Sequence, residues 1–131
     1  MKRLAPLLAA LALAATPALA VGLGPLSKSG ITDSDRKGFF LTLINPYPSA
    51  TPYRAYAVGE EDESPQPRVR IVPAEVTLGG RATRRILVIA QELRPGEEYA
   101  FRVCAERSDI EEGMINARVC SRLRARRLPG A

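Results

Sequence analysis

From Gly38 to the end of the chain, apolar side chains fall at alternate positions in short runs, and proline, glycine, aspartate or serine closes each run. A period of two puts one side of a segment against a core and the other toward water, which fits a pleated strand and not a helix. Residues 38–44 (GFFLTLI) set Phe39, Leu41 and Leu43 on one face. Asn45-Pro46-Tyr47-Pro48 then stops the strand, because proline has no N–H to donate to a ladder. Residues 52–58 alternate Tyr53, Ala55 and Ala57 against Arg54 and Tyr56, and residues 68–72 turn Val69 and Ile71 inward. Residues 75–78 form a short strand ended by Gly79-Gly80. Residues 82–90 run apolar from Ile86 to Ala90, which suits a central strand buried on both faces or one carrying a bulge. The last strand spans residues 114–126. It carries Ile115, Ala117, Val119, Leu123 and Ala125 on one face, and Asn116, Arg118, Cys120, Arg122, Arg124 and Arg126 on the other.

Between these runs lie two distinctive connections. Residues 59–67 hold four consecutive acids and two prolines, Glu60-Glu61-Asp62-Glu63 with Pro65 and Pro67, and read as a solvated loop without ordered metal-ligand spacing. Leu93-Arg94-Pro95-Gly96 makes a turn before a strand that points Tyr99, Phe101 and Val103 inward. Leu93, Pro95, Gly96 and Tyr99 match the tyrosine corner of Greek-key sandwiches, in which the ring fills the core and the hydroxyl bonds backbone just upstream. The expected fold is therefore all-β: a single immunoglobulin-like Greek-key sandwich of about seven strands over residues 21–128, with residues 129–131 as a tail.

The chain starts with Met1-Lys2-Arg3, an apolar Leu/Ala run, and small residues at Ala18 and Ala20. That is the form of a cleaved secretory signal peptide over residues 1–20, with an apolar stretch too short to span a bilayer. No transmembrane anchor is expected after cleavage, and the periplasm is the expected compartment. Loss of Lys2 and Arg3 takes the formal charge from +5 to +3, and leaves 111 of 131 residues, enough for one domain. Cys104 and Cys120 are the only cysteines. In an oxidising compartment an even, widely spaced pair reads as a structural disulfide. Both lie out of phase with the core residues of their strands, so a cross-strand bond between paired strands is sterically reasonable.

The residue inventory argues against catalysis. There is no His, the commonest general base and metal ligand. Glu97-Glu98 and Glu111-Glu112 are adjacent pairs that do not converge on one substrate, and no glycine-rich phosphate cradle is present. No enzyme activity and no cofactor is expected. Arg118, Arg122, Arg124, Arg126 and Arg127 make a basic stripe along the last strand. It reads either as a charged edge that discourages aggregation or as a surface recognising carboxylates or an acidic polymer. Nucleic acid is not an expected partner, because no aromatics interleave with the basic residues.

Taken together, several segments resemble the amino-terminal domain of the PapD-like periplasmic pilus-assembly chaperones. They are the strand ending in Asn45, residues 72–80 (VPAEVTLGG), residues 84–89, residues 93–103, and Ser121-Arg122-Leu123-Arg124-Ala125 before Leu128-Pro129. Residues 93–103 are equally similar to a fibronectin type III domain. The resemblance to the chaperones implies a periplasmic binding module that pairs an edge strand with an exported protein or pilus subunit. Arg124 matches the basic residue that holds a subunit's terminal carboxylate, with Lys28 near the place of a second anchor. Arg122, Val119 and Leu123 join Arg124 as expected partner-binding residues. The alternative is a structural or accessory envelope sandwich with no client.

Overall fold

The computed structural model of the chain describes residues 22–130, so the expected signal peptide and its cleavage site lie outside the described residues. Among the described residues there are nine strands and no helix. They are β1 (Gly22–Gly24), β2 (Ser27–Thr32), β3 (Lys37–Ile44), β4 (Thr51–Gly59), β5 (Val69–Val72), β6 (Glu75–Leu78), β7 (Thr83–Ala90), β8 (Glu98–Arg107) and β9 (Val119–Arg127). Two sheets face each other, one ordered β1-β3-β7-β5 and the other β2-β9-β8-β4-β6. The fold is the expected immunoglobulin-like sandwich.

Alternation decides which side chains enter the space between the layers. Phe39, Leu41 and Leu43 of β3 and Ile86, Val88 and Ala90 of β7 meet Tyr53, Ala55, Phe101, Val103, Ala105, Leu123 and Ala125 from the other sheet. Strand β7 lies between β3 and β5 and buries one face fully, while Leu87 and Ile89 on its outer side are only half-buried. At the end of β3, Asn45 is fully buried. Its amide Nδ2 donates to the carbonyls of Ser49, Leu78 and Gly79, and its Oδ1 accepts from the backbone N–H of Tyr47. A buried amide is stable only when so paired, and this one ties three connections together.

Seven strands lie on the segments that alternation marks, the last of them starting later than expected; β1 and β2 are additional. Their sequences, GLG and SKSGIT, contain three glycines and show no apolar period. They are halves of one segment that changes sheets at Pro25. β1 runs antiparallel to β3, and β2 runs parallel to β9. Proline cannot continue a ladder, so the break falls where the chain crosses between layers. The crossing is tied to β9: the Ser121 hydroxyl donates to the Pro25 carbonyl at 2.6 Å, and the Arg122 N–H to the Leu26 carbonyl at 2.8 Å.

Candidate partner-binding surface

The arrival of β2 changes the standing of β9. From Arg122 to Arg127 every residue of β9 is paired with β2, while β8 covers its other side. This half is an interior strand with no free backbone edge. Leu123, expected to meet a partner, is 2% exposed and packs in the protein's own core. Its inward phase, shared with Ala125, leaves it no path to a ligand. Only Val119, Cys120 and Ser121 pair with β8 alone.

The last strand is also shorter than alternation suggested. It begins at Val119, not Met114: the β8–β9 ladder ends at Ala105 opposite Val119, while β8 itself runs on to Arg107 beside β4. Residues 113–118 leave the ladder. Ile115 is 91% exposed and Met114 is also exposed. Asn116 is tethered by its side chain, whose amide donates to Oε2 of Glu106. Glu106 is buried and bridged to Arg54 at 2.9 Å. Burial pushes its carboxyl upward, but the bonds from Asn116 and Arg54 bring it below the ordinary value.

The arginines do lie outward in phase, and the structure supplies their counter-charges. Arg102 and Arg122 face each other across the β8–β9 hairpin, an arrangement of like charges that costs stability when unrelieved. The acidic loop after β4 folds onto them. Glu63 takes Arg118 at 2.6 Å and Arg102 at 3.2 Å, Glu61 reaches Arg122 at 3.7 Å, and Glu60 reaches Arg124 at 3.3 Å. Arg124 is shared with Glu98 at 3.1 Å. The loop thus runs antiparallel to β9, its carboxylates meeting Arg118, Arg122 and Arg124 in reverse order. Asp62 instead closes the loop on itself by accepting from the backbone N–H and hydroxyl of Ser64. Arg102 clamps the loop backbone, donating to the carbonyls of Gly59 and Asp62 at 2.9 Å each. The bond from Arg118 holds the Glu63 carboxyl at about 2. Nothing in the local sequence marks this pairing, because the partners are 55 to 64 residues apart.

Beside the stripe, where β2 meets β9, is a cleft of about 240 Å³ lined by Lys28, Glu60, Arg122 and Arg124 with Ser27 and Ser29. Lys28 sits opposite Leu123 and Ser29 opposite Arg124 in the β2–β9 register. That register puts Lys28 on the side of the sheet that Leu123 faces, so the charges that share the outer face at the cleft are Arg122, Arg124 and one carboxylate, which belongs to the acidic loop. The cleft's chemistry suits a carboxylate ligand held by charge-assisted hydrogen bonds. Among the described residues no cluster of His, Cys, Asp or Glu is arranged to hold a metal ion.

Cys104 and Cys120 are directly opposed in the β8–β9 ladder and form a disulfide with Cα atoms 4.0 Å apart. The bond lies one pair from the point where β9 leaves the sheet, so it pins the root of residues 113–118.

Tyr99 departs from the expected corner. Leu93 is buried in the core, and Pro95-Gly96 makes the expected turn, closed by the Glu97 N–H on the Arg94 carbonyl with Gly96 at a φ of 77°. The Tyr99 ring, however, is half-buried, and its hydroxyl donates to Oε1 of Gln66 at 2.5 Å instead of to upstream backbone. Arg68 packs against the same turn. It donates to Gln91 and Glu92, binds Glu97 through two hydrogen bonds, and lies over the Tyr99 ring at 4.3 Å.

No protein-family model matches the chain, and no curated protein matches it by sequence. Solved structures do match. The E. coli chaperone DraB aligns with a TM-score of 0.66 at 20% identity, over 83% of this chain and 55% of that one. A chain in the complex of the Salmonella enterica SafA pilin with the SafB chaperone aligns with a TM-score of 0.66 at 19% identity, over 86% of this chain and 57% of that one. The ASH/PapD-like domain 7 of human CEP192 aligns with a TM-score of 0.67 at 14% identity, over 100% of this chain and 96% of that one. The chain thus spans little more than half the length of the chaperone DraB. At these identities the likeness establishes the fold, a PapD-like sandwich. Among the described residues no helix is long and apolar enough to cross a membrane.

Proposed function

We propose that this protein is a periplasmic chaperone-like module that binds an exported polypeptide, such as a pilus subunit, by strand addition. One observation carries the reading. Ile115, Ala117 and Val119 continue the inward phase of Leu123 and Ala125 beyond the point where β9 has a sheet of its own. Drawn out as a strand, residues 113–121 would offer apolar side chains that this sandwich has no layer to cover, beside a backbone edge that β2 leaves free. A partner lacking a strand supplies both needs. The cleft at Arg122 and Arg124 lies just beyond along β9, and its two guanidinium groups suit a partner's terminal carboxylate. Chaperones with the same fold, one of them solved with a pilin, support the reading.

The test is capture from periplasmic extract with tagged protein, native or Ala117→Pro. Residue 117 is exposed and outside any ladder, so proline there leaves the sandwich intact while removing an N–H from the proposed edge. The reading expects a partner held by native protein and lost by Ala117→Pro and by Arg124→Gln. A native protein that always emerges monomeric and empty sinks it. A second reading, an accessory sandwich that needs no client, is favoured by the internal neutralisation of the arginine stripe. It expects that empty outcome.

A further inference from the structure

We propose that Glu60 and Glu61 are an internal competitor for the Arg122/Arg124 cleft, so that a partner's carboxylates enter by displacing them. The inference rests on the carboxylate cleft of the proposed function and adds a regulatory contact to it. The acidic loop has a fixed end and a loose end. At the fixed end Arg102 holds two loop carbonyls, and Glu63 receives three hydrogen bonds from Arg118 and Arg102. At the loose end Glu61 and Arg122 stand 3.7 Å apart with side chains 79% and 61% exposed, and Arg124 divides itself between Glu60 and Glu98. Exposed pairs of that kind contribute about 0–1 kcal/mol each. They are strong enough to occupy the cleft in the free protein and weak enough to yield to a better-placed carboxylate. Glu60 lines the cleft itself, so its release opens the site and uncovers Arg124 at the same time.

The experiment measures binding of a synthetic hexaglutamate peptide with a free C-terminus to the purified protein at low salt. If the competitor holds the cleft about nine-tenths of the time, the double variant Glu60→Gln/Glu61→Gln binds the peptide about tenfold more tightly than native protein. The Glu111→Gln/Glu112→Gln variant removes the same charge from a distant loop and is expected to bind as native protein does. The Arg122→Gln/Arg124→Gln variant is expected not to bind. Equal affinity of native and Glu60→Gln/Glu61→Gln proteins, with binding still abolished at the arginines, overturns the competitor and leaves the cleft standing. An equal gain in the distant-loop control also overturns it, since the effect is then a general field. Absence of binding in every variant removes the cleft and the competitor together. Both glutamates are solvent-accessible, and a thermal melt matching native protein establishes that the double variant is folded.

Discussion

The hydroxyl of Tyr53 donates to Oδ1 of Asn45 at 2.8 Å, joining two fully buried polar groups from opposite layers of the sandwich. Burial raises the tyrosine's pKa, so at every ordinary pH the hydroxyl is present as the donor that this bond needs. Asn45 is thereby fully satisfied, and through it the end of β3 is fastened to the start of β4 and the end of β6. Asn45→Ala strands the buried carbonyl of Leu78 and takes from the Tyr53 hydroxyl its acceptor on the opposite layer. It is expected to cost about 2–4 kcal/mol in chemical denaturation. Tyr53→Phe leaves Asn45 with its other partners and is expected to cost about 1 kcal/mol. Equal costs for the two would show that the amide is not the hub.

Leu123 belongs to the core and not to a partner surface. Leu123→Ala is expected to destabilise the fold by about 2–4 kcal/mol, read as a lowered unfolding midpoint. Arg124→Gln, on the opposite face, changes stability by less than about 1 kcal/mol. A Leu123→Ala protein as stable as native would contradict the inward packing of β9.

Removing the Cys104–Cys120 bond by alanine at both positions is expected to cost about 3 kcal/mol, from the conformational freedom restored to a loop of this size in the unfolded chain. Because the bond lies at the root of residues 113–118, proteolysis in that segment should accelerate as well. Unchanged denaturation and cleavage would count against the bond's stabilising role.

Arg68 and the backbone N–H of Arg94 hold the Glu97 carboxyl at about 2, below its ordinary 4.5. A depressed carboxyl stabilises the fold above its unfolded value, and that stabilisation is lost as pH falls from about 4.5 toward 2. Both side chains are about one-quarter exposed, so solvent screens the pair, and about 1–2 kcal/mol is expected to disappear over that window. Glu97→Gln lacks this component, so its stability should fall less steeply between pH 5 and pH 2 than that of native protein. Parallel pH profiles would refute the assignment.

Two adjacent glycines differ sharply. A Cβ on Gly80 would come within 2.0 Å of the Pro48 carbonyl oxygen, a backbone atom that cannot give way, while a Cβ on Gly79 meets nothing within 4 Å. Gly80→Ala is therefore expected to lower stability by about 1–3 kcal/mol and Gly79→Ala to be tolerated, as thermal melts of the two would reveal. The sequence shows only a Gly-Gly turn; which glycine matters is decided by the loop of Tyr47 and Pro48 packed against it.

The same division holds across the molecule. Alternation alone placed Phe39, Leu41 and Leu43, Tyr53 and Ala55, and Phe101 and Val103 inward, and it put the two cysteines out of phase with their neighbours in the core. A strand's period is local, and it assigns a face before any partner is present. Partner identity is not local. β1 and β2 carry no apolar period, and only pairing with β3 and β9 makes them strands. For the same reason the cover over Arg122–Arg127, and the acidic loop lying on arginines far along the chain, could not be read from the residues themselves. The Tyr99 hydroxyl went to Gln66, and Arg68 came over the Tyr99 ring, because the segment before β5 lies beside that face, an adjacency set by the pairing of β5 with β7. The sequence determined the faces and the sulfur pair; tertiary structure decided which edges remain open, because an open edge is defined by what is not beside it.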